Sequence, residues 1–218
     1  MSTDGVRGTY DTVAKSYADL IPGLSAESPL EIAMIDRFAS ELAERGGRVL
    51  DAGSGPGRVT DYLARRGVDA SGIDLSPAMV EVARAAYPGL HFDVGLLDAL
   101  PCSNDELAGI LAWYSTIHTP VTRLPDVYRE FARALGPGGL LLLGFHAGTG
   151  VHRVTRSYGH AVDIEVQLFD AHELEELLSE AGFTIEATLV RAPVGGEKRP
   201  QGFILASKTG PTRSVALP

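Results

Sequence analysis

Cysteine, long hydrophobic runs and basic clusters are scarce or absent in this sequence of 218 residues. The single cysteine, Cys102, excludes an intrachain disulfide and a zinc site built from cysteines, and it is consistent with the reducing cytoplasm. No apolar run approaches the ~20 residues that cross a bilayer. Charged residues interrupt the first twenty positions, so no signal-peptide core is found there. We therefore expect a cytoplasmic protein without a membrane partner.

Positive charge is also limited, because 28 acidic residues outnumber 19 lysines and arginines and give a net charge of −9. Nucleic-acid-binding proteins usually carry a basic stripe, whereas only short pairs such as Lys198-Arg199 occur here, so no nucleic acid partner is expected. The sequence has no H-E-x-x-H, no C-x-x-C and no cluster of acids, so no metal is expected either. The length and the 44% of hydrophobic residues suit one compact domain with a sizeable core.

The strongest local pattern lies in residues 48–65, where a short apolar strand leads through a glycine-rich turn into a helix. Single residues separate its three glycines, Gly53, Gly55 and Gly57. Such a turn lets the backbone approach a ligand closely and points helix N–H groups at it. The dinucleotide pattern G-x-G-x-x-G fits neither register, because Arg58 or Thr60 would stand in its third glycine position. The other interpretation is an ordinary joint between strand and helix, with glycines kept for packing alone.

Two aspartates accompany the glycine turn. Asp51 stands two positions before the first glycine, where its carboxylate can reach a cationic group of a ligand. Asp74 follows a second apolar stretch, residues 68–73, and lies 21 residues after Gly53. An acid at the end of the next parallel strand suits the hydroxyls of a ribose. We therefore expect Asp74 to accept hydrogen bonds from both ribose hydroxyls.

The pattern D-x-G-x-G-x-G, followed by the acid of the second strand, resembles the class I S-adenosylmethionine-dependent methyltransferases. The resemblance extends from about Arg48 to Phe145. It implies S-adenosyl-L-methionine as the cofactor and S-adenosyl-L-homocysteine as its product. It also implies an α/β fold: a doubly wound, Rossmann-like, mostly parallel seven-stranded sheet with an antiparallel edge strand, helices on both faces and an N-terminal helical lid. The implied strand order is 3-2-1-4-5-7-6.

The remaining segments are interpreted around this fold. Residues 1–208 are expected to form a single methyltransferase domain, followed by a disordered tail at 209–218. Within the domain, residues 1–46 supply two helices as the lid, 48–145 form the cofactor-binding core, and 146–169 form a substrate-side insertion. The lid helices could equally pack on the edge of the sheet, and the insertion could be a mobile surface loop.

The resemblance implies cofactor contacts beyond the glycine turn. After the third strand, Asp98 would accept a hydrogen bond from the adenine amino group, with apolar neighbours flanking the ring. A cation over an aromatic face gains ~0.5–2 kcal/mol, which makes Tyr17, Trp113 and Tyr114 candidates for contact with the sulfonium, although Trp113 could serve core packing instead. The predicted cofactor-binding residues are Tyr17, Asp51, Gly53, Ser54, Gly55, Gly57, Asp74, Leu75, Met79, Leu97, Asp98, Ala99, Trp113 and His118.

The candidate catalytic residues follow two strand ends. The apolar run 107–113 is typical of a buried central strand, and ligands bind beyond the carboxyl ends of strands in such sheets. Tyr114 and His118 follow this strand, and His146 directly follows the fifth strand. An imidazole with a pKa near ~6.5 can act as a base at neutral pH, and we expect His146 to be that base, because it begins the insertion. Either histidine could instead be structural or face solvent.

These observations predict methyl transfer to a small-molecule acceptor, with O-methylation of a specialised metabolite as the leading interpretation and a monomer or homodimer as the assembly. One alternative is a non-catalytic protein that binds S-adenosylmethionine or S-adenosylhomocysteine. A nicotinamide-dependent oxidoreductase is the other alternative, which the mismatched third glycine disfavours.

Overall fold

A computed structural model describes residues 2–210 of the chain. Its α-helices are α1 (Thr3–Leu20), α2 (Pro29–Arg45), α3 (Arg58–Arg65), α4 (Pro77–Ala86), α5 (Leu124–Ala134) and α6 (Ala171–Glu180). Its strands are β1 (Arg48–Ala52), β2 (Asp69–Asp74), β3 (His91–Val94), β4 (Leu107–Trp113), β5 (Leu135–His146), β6 (Gly150–Ser157), β7 (His160–Leu168), β8 (Phe183–Arg191) and β9 (Gln201–Lys208). Two short 3₁₀ helices, Thr116–His118 and Val121–Arg123, connect β4 to α5. Of the tail expected to be disordered, residues 211–218 lie outside the described residues.

Seven strands form one sheet in the order β3-β2-β1-β4-β5-β9-β8. The neighbours from β3 to β5 are parallel, and β9 is antiparallel to both β5 and β8. The antiparallel strand therefore lies second from the edge and forms a hairpin with the edge strand β8. The separate pair β6 and β7 does not join this sheet. When that pair is left out of the count, the order is the predicted 3-2-1-4-5-7-6, and the predicted fold class is confirmed.

Hydrophobic side chains fill both faces of the sheet, as the continuous apolar runs of β4 and β5 predict. Successive residues of β5 alternate between the two faces because strand side chains have a period of two. Leu141 and Leu143 belong to the cluster under α5 and α6. Leu140 and Leu142 belong to the cluster under α2 and α3. This two-sided burial holds the central strands in place. Because these strands are parallel, their carboxyl ends all point to the same end of the sheet.

The segment expected to be an insertion forms an antiparallel hairpin, β6 and β7, that packs against α1. At its tip, the ring of Tyr158 lies 4.6 Å from the ring of Tyr17 on α1, centroid to centroid. The hydroxyl of Ser16 lies 2.9 Å from Nε2 of His160 in the same hairpin. We call α1 and this hairpin the covering wall. None of the helices within residues 2–210 has the length and apolar character needed to cross a membrane.

Candidate active site

The turn after β1 requires glycine for conformation and for space. Gly53, Gly55 and Gly57 have φ values of +86°, +54° and +82°, in the left-handed region that other residues rarely adopt. A Cβ on Gly53 would lie 2.2 Å from Cβ of Ser115, so the backbone of this turn passes directly over the end of β4. A Cβ on Gly55 would meet no described atom within 4 Å. The turn is therefore open at Gly55, where a ligand can approach the backbone.

Asp74 ends β2 beside this turn. One of its carboxylate oxygens accepts a hydrogen bond from the backbone N–H of Gly55 at 2.8 Å, and the other accepts from the N–H of Ser76 at 2.8 Å. Burial raises the pKa of the Asp74 carboxyl, while the two N–H donors oppose that shift. Each carboxylate oxygen keeps a further lone pair, so the group can still accept from a ligand.

A cavity of about 750 Å³ lies over the carboxyl ends of β1, β2, β4 and β5. This volume falls within the range of small-molecule sites, roughly 300–1,000 Å³. It brings together most of the residues predicted from sequence. Those that line it are Tyr17, Gly53, Gly55, Asp74, Leu75, Met79, Leu97, Asp98, Trp113, Tyr114, His118 and His146. The cofactor segments and the candidate catalytic residues thus share one cavity.

Four residues predicted to bind the cofactor do not line the cavity: Asp51, Ser54, Gly57 and Ala99. Asp51 is fully buried behind the turn, where it accepts a hydrogen bond from the Thr60 hydroxyl at 2.7 Å, and burial raises its pKa to about 7. Gly57 is the N-cap of α3 and packs against the ring of Phe92. Ser54 is buried and Ala99 is exposed. Asp51, Ser54 and Gly57 therefore support the turn from the side that faces away from the cavity.

The predicted adenine contact, Asp98, lies at the cavity rim. Its carboxylate forms an ion pair with Arg123 at 2.9 Å. Arg123 also lines the cavity and pairs with Asp126. The Asp98 carboxylate keeps free lone pairs in this arrangement. Arg123 therefore orients the carboxylate and leaves it able to accept a further hydrogen bond.

A buried ion pair that the sequence interpretation missed stands beside Trp113. Arg58, the first residue of α3, donates to Glu27 at 2.7 Å and to the carbonyl of Gly23 at 3.0 Å. Glu27 also accepts from the indole N–H of Trp113 at 3.2 Å. All three of these side chains line the cavity. Arg58 could have been noticed in the sequence as the first residue after the glycine turn, whereas no local pattern marks Glu27.

A second buried network surrounds Tyr114. Its hydroxyl donates to Glu31 at 2.8 Å, and Glu31 also accepts from Arg191 at 2.7 Å. Arg191 binds Glu197 through two nitrogens, at 2.5 and 2.6 Å. Burial raises the pKa of Tyr114, and the neighbouring Glu31 carboxylate raises it further, so the phenol stays protonated. Tyr114 also has a φ of +55°, an unusual conformation at the strand end that turns the chain into the cavity.

The two candidate histidines differ in their hydrogen bonds. Nδ1 of His118 lies 2.7 Å from the carbonyl of Glu165, and its Nε2 lies 2.7 Å from the hydroxyl of Tyr10. Burial lowers the pKa of His118 to about 4, so its ring is neutral. Nδ1 of His146 lies 2.9 Å from Oε1 of Gln201, and no described residue binds its Nε2. Burial lowers the pKa of His146 as well. Of the two imidazoles, only His146 therefore offers a ring nitrogen without a partner.

Among residues 2–210, no three His, Cys, Asp or Glu residues are placed to hold a metal ion together. The acidic groups of the cavity are instead bound by arginines and by backbone N–H groups, as described for Asp74, Glu27 and Glu31.

The chain is similar to known methyltransferases. A family model described as a methyltransferase domain matches residues 30–188. The malonyl-[acyl-carrier protein] O-methyltransferase of Enterobacter lignolyticus is 30% identical over 130 residues, which are 59% of this chain and 51% of that protein. The chain spans about half the length of the curated relatives it matches.

Two solved structures share the fold at low sequence identity. Magnesium protoporphyrin IX methyltransferase from Synechocystis PCC 6803, with bound S-adenosylhomocysteine, has a TM-score of 0.70 at 17% identity, covering 95% of this chain and 100% of that one. The [4+2]-cyclase SpnF has a TM-score of 0.72 at 20% identity, covering 97% and 98%. Because the fold serves a cyclase too, the reaction must be argued from the site. The family match over most of the chain nevertheless decides the classification: the chain belongs to the methyltransferase-domain family, and its resemblance to class I S-adenosylmethionine-dependent methyltransferases is confirmed.

Proposed function

We propose that this protein transfers a methyl group from S-adenosylmethionine to a neutral hydroxyl group of a small molecule, an O-methylation of a specialised metabolite. One observation carries the proposal. A single cavity joins the glycine turn and Asp74 at one end to His146, with its free ring nitrogen, at the other. The name of the Enterobacter lignolyticus relative, an O-methyltransferase, supports oxygen as the accepting atom.

The residues around the glycine turn fit the cofactor. The open space at Gly55 admits a ligand against the backbone, and the Asp74 carboxylate beside it would accept from the ribose hydroxyls. Leu97 and Asp98 would flank the adenine, while Tyr17 and Trp113 supply aromatic faces for the positively charged sulfur. When bound, S-adenosylmethionine supplies a methyl group that bonds to the acceptor oxygen while the S–C electron pair remains on sulfur.

The acceptor side needs alignment and a place for one proton. Enclosure by the covering wall, through Tyr10, Tyr17 and Tyr158, excludes water and holds the acceptor in line, an effect that can supply up to ~7–11 kcal/mol in ideal cases. Nε2 of His146 takes the proton that the acceptor hydroxyl loses. The lowered pKa of His146 keeps this nitrogen unprotonated at neutral pH.

The hydrogen bonds favour His146 over His118 as the base. The carbonyl of Glu165 can only accept, so Nδ1 of His118 carries the proton of that ring. Nε2 of His118 then accepts from the Tyr10 hydroxyl, which occupies its lone pair. His118, which follows β4, therefore connects α1 to the carboxyl end of that strand and does not receive a substrate proton. Tyr114, whose hydroxyl is committed to Glu31, contributes its ring, 5.2 Å from that of His146.

Thermal unfolding tests the cofactor assignment. S-Adenosylhomocysteine should raise the Tm, because a ligand that binds only the folded state stabilises it by mass action, whereas NAD should leave it unchanged. At a ligand concentration 100 times Kd the stabilisation is ~2.7 kcal/mol. A larger shift with NAD would favour the oxidoreductase alternative and contradict the proposal.

A panel of phenols and aliphatic alcohols, assayed by formation of S-adenosylhomocysteine, tests the reaction. With an accepted substrate, His146→Ala should lower kcat ~100-fold or more while the Kd for S-adenosylhomocysteine barely changes. The exposed His172 provides the matched control, and His172→Ala should keep wild-type kcat. A wild-type kcat for His146→Ala between about pH 6 and 9 would show that His146 is not the base. Cofactor binding without turnover on any acceptor would favour the non-catalytic alternative.

A further inference from the structure

His146 lies opposite a buried glutamine, Gln201, on the neighbouring strand of the sheet. His146 ends β5, and Gln201 begins β9; the antiparallel register pairs these two residues directly. Directly opposed residues of an antiparallel pair lie on the same face, with Cβ atoms ~4.5–5.5 Å apart. Gln201 is only 5% exposed, and it lines the same cavity as His146. The backbone pairing of β5 with β9 therefore fixes the contact between the two side chains.

The orientation of the Gln201 amide follows from its second partner. Its Nε2 donates to the carbonyl of Arg199 at 2.9 Å. A carbonyl oxygen can only accept, so the amide nitrogen must point to Arg199 and the amide oxygen must point to His146. That oxygen lies 2.9 Å from Nδ1 of His146 and is likewise only an acceptor. The short contact therefore requires a proton on Nδ1, because two acceptors would repel each other at this distance.

We propose that Gln201 is a positioning residue that holds the neutral ring of His146 in its Nδ1–H tautomer and so leaves the lone pair on Nε2. The inference rests on the proposed function, in which Nε2 takes the proton of the acceptor hydroxyl. Without Gln201, the ring could place its proton on Nε2 and present a donor where the reaction needs an acceptor. It could also rotate, since Gln201 is its one hydrogen-bond partner within the described residues.

The surroundings of His146 leave this role to Gln201. The charged or titratable groups that face the ring are Tyr114, His118, Glu197 and Arg199. Glu197 is held by Arg191, and the hydroxyl of Tyr114 is held by Glu31. The amide of Gln201 is thus the group that binds Nδ1, and both ends of that amide are satisfied.

Two variants separate the hydrogen bond from packing. Gln201→Met keeps the length of the side chain but lacks an acceptor for Nδ1–H. Gln201→Glu keeps an acceptor for Nδ1–H, adds a negative charge and loses the donor to the carbonyl of Arg199. Gln167, another buried glutamine, supplies the control Gln167→Met, because it makes no hydrogen bond to His146 among the described residues.

Nitrogen-15 NMR of the histidine rings in the chain of 218 residues reads the tautomer directly and needs no substrate. His146→Asn identifies the resonances of His146. Wild type and Gln167→Met should show a protonated Nδ1 and an unprotonated Nε2 at neutral pH. Gln201→Glu should show the same tautomer at high pH, where the ring has lost the second proton that the new carboxylate favours. Gln201→Met should show proton density moved to Nε2. An Nε2–H tautomer in wild type, or an unchanged Nδ1–H tautomer in Gln201→Met, would overturn the proposal.

Kinetics with an accepted hydroxyl substrate distinguishes this inference from the proposed function. Gln201→Met should lower kcat roughly 10- to 100-fold, the range seen when a partner that orients a metal-bound histidine is removed, with an unchanged Kd for S-adenosylhomocysteine. Gln201→Glu should recover kcat at high pH, with the acidic limb of its pH profile moved to higher pH, because the new carboxylate favours the charged imidazole. A changed tautomer with wild-type kcat would support the positioning role of Gln201 and overturn His146 as the base.

Discussion

We expect the buried carboxyl of Asp51 to make the folded protein less stable as the pH rises. The carboxyl is 1% exposed, and burial raises its pKa from 3.8 to about 7, although the hydrogen bond from Thr60 opposes the shift. Between these values the folded state holds a proton that the unfolded state has lost. Stability therefore falls as the pH rises through this window. One pKa unit corresponds to ~1.36 kcal/mol, so a shift of about three units corresponds to ~4 kcal/mol.

Substitution of Asp51 by asparagine removes this dependence. The amide oxygen can still accept from the Thr60 hydroxyl, and the side chain no longer has to ionise in the interior. The free energy of unfolding should be compared for Asp51→Asn and wild type by urea denaturation, without ligand, from about pH 4 to pH 8. We expect the difference between them to move by up to ~4 kcal/mol in favour of Asp51→Asn as the pH rises.

The test depends on how the difference in free energy of unfolding between Asp51→Asn and wild type changes with pH, and not on its value at one pH. The new amide N–H₂ group can add a destabilising contribution that is the same at every pH. Other groups titrate equally in both proteins and cancel in the difference. Asp19→Asn, at a side chain that is 63% exposed, controls for the loss of one negative charge and should alter stability by no more than ~0.5 kcal/mol. A difference for Asp51→Asn that stays constant within ~1 kcal/mol from about pH 4 to pH 8 would refute the burial argument.

Two further substitutions test the cofactor end of the cavity and the strand pairing behind His146. Asp74→Ala should weaken binding of S-adenosylhomocysteine by ~2–4 kcal/mol in calorimetry, because it removes hydrogen bonds to a charged group, and Asp74→Asn should lose less; native affinity in Asp74→Ala would exclude the ribose contact. Gly202→Ala should lower the free energy of unfolding by ~1–3 kcal/mol, since the new Cβ would lie 2.3 Å from the buried ring of Phe145. At Gly89 a Cβ would meet no described atom within 4 Å, so Gly89→Ala should not be destabilising by comparison.

Much of the fold could be predicted because its signals are local. The capping box of Ser28 and Glu31 and the following proline predict the start of α2, which the structure confirms at Pro29. The apolar spacing of Val127, Phe131 and Leu135 predicts a helix that ends at Gly136. In the structure this helix, α5, ends at Ala134, and β5 begins at Leu135. The boundary between α5 and β5 depends on the pairing of Leu135 with Leu107 of β4. The register between β4 and β5 shifts directly after this pair. No periodicity in the sequence could report such a long-range pairing.

The hairpin of β6 and β7 escaped prediction because its pattern is weak. Its strands lie outside the main sheet and leave many side chains exposed, so the alternation between apolar and polar residues that marks a half-buried strand is faint. The segment contains Tyr158 and three histidines, His146, His152 and His160, without clean periodicity, which favours a substrate-side insertion. The structure puts Tyr158 on the cavity and His160 against Ser16, which are contacts that only the folded chain creates.

The candidate site was predictable where residues follow the glycine turn or a strand end, as Asp74 and His146 do. Gln201 was not, because its partner lies 55 residues earlier and only the antiparallel return of β9 brings the two together. Glu31 was seen only as a helix cap, yet its carboxylate also binds Tyr114 and Arg191. Buried polar groups acquire such additional partners from tertiary packing, and these partners leave no spacing in the sequence.

The covering wall has a consequence for the order in which the molecule assembles. The partners of helix α1 are far away along the chain: 65 residues for the bond from Ser76 to Asp11, 108 for Tyr10 with His118 and 144 for Ser16 with His160. Closing such long loops costs entropy before any contact forms, so we expect the wall to dock after the sheet. We expect the same contacts to open first in the native state. Amide hydrogens of α1 should therefore exchange with solvent at a lower free energy than those of β4, and the cavity admits ligands without unfolding of the sheet.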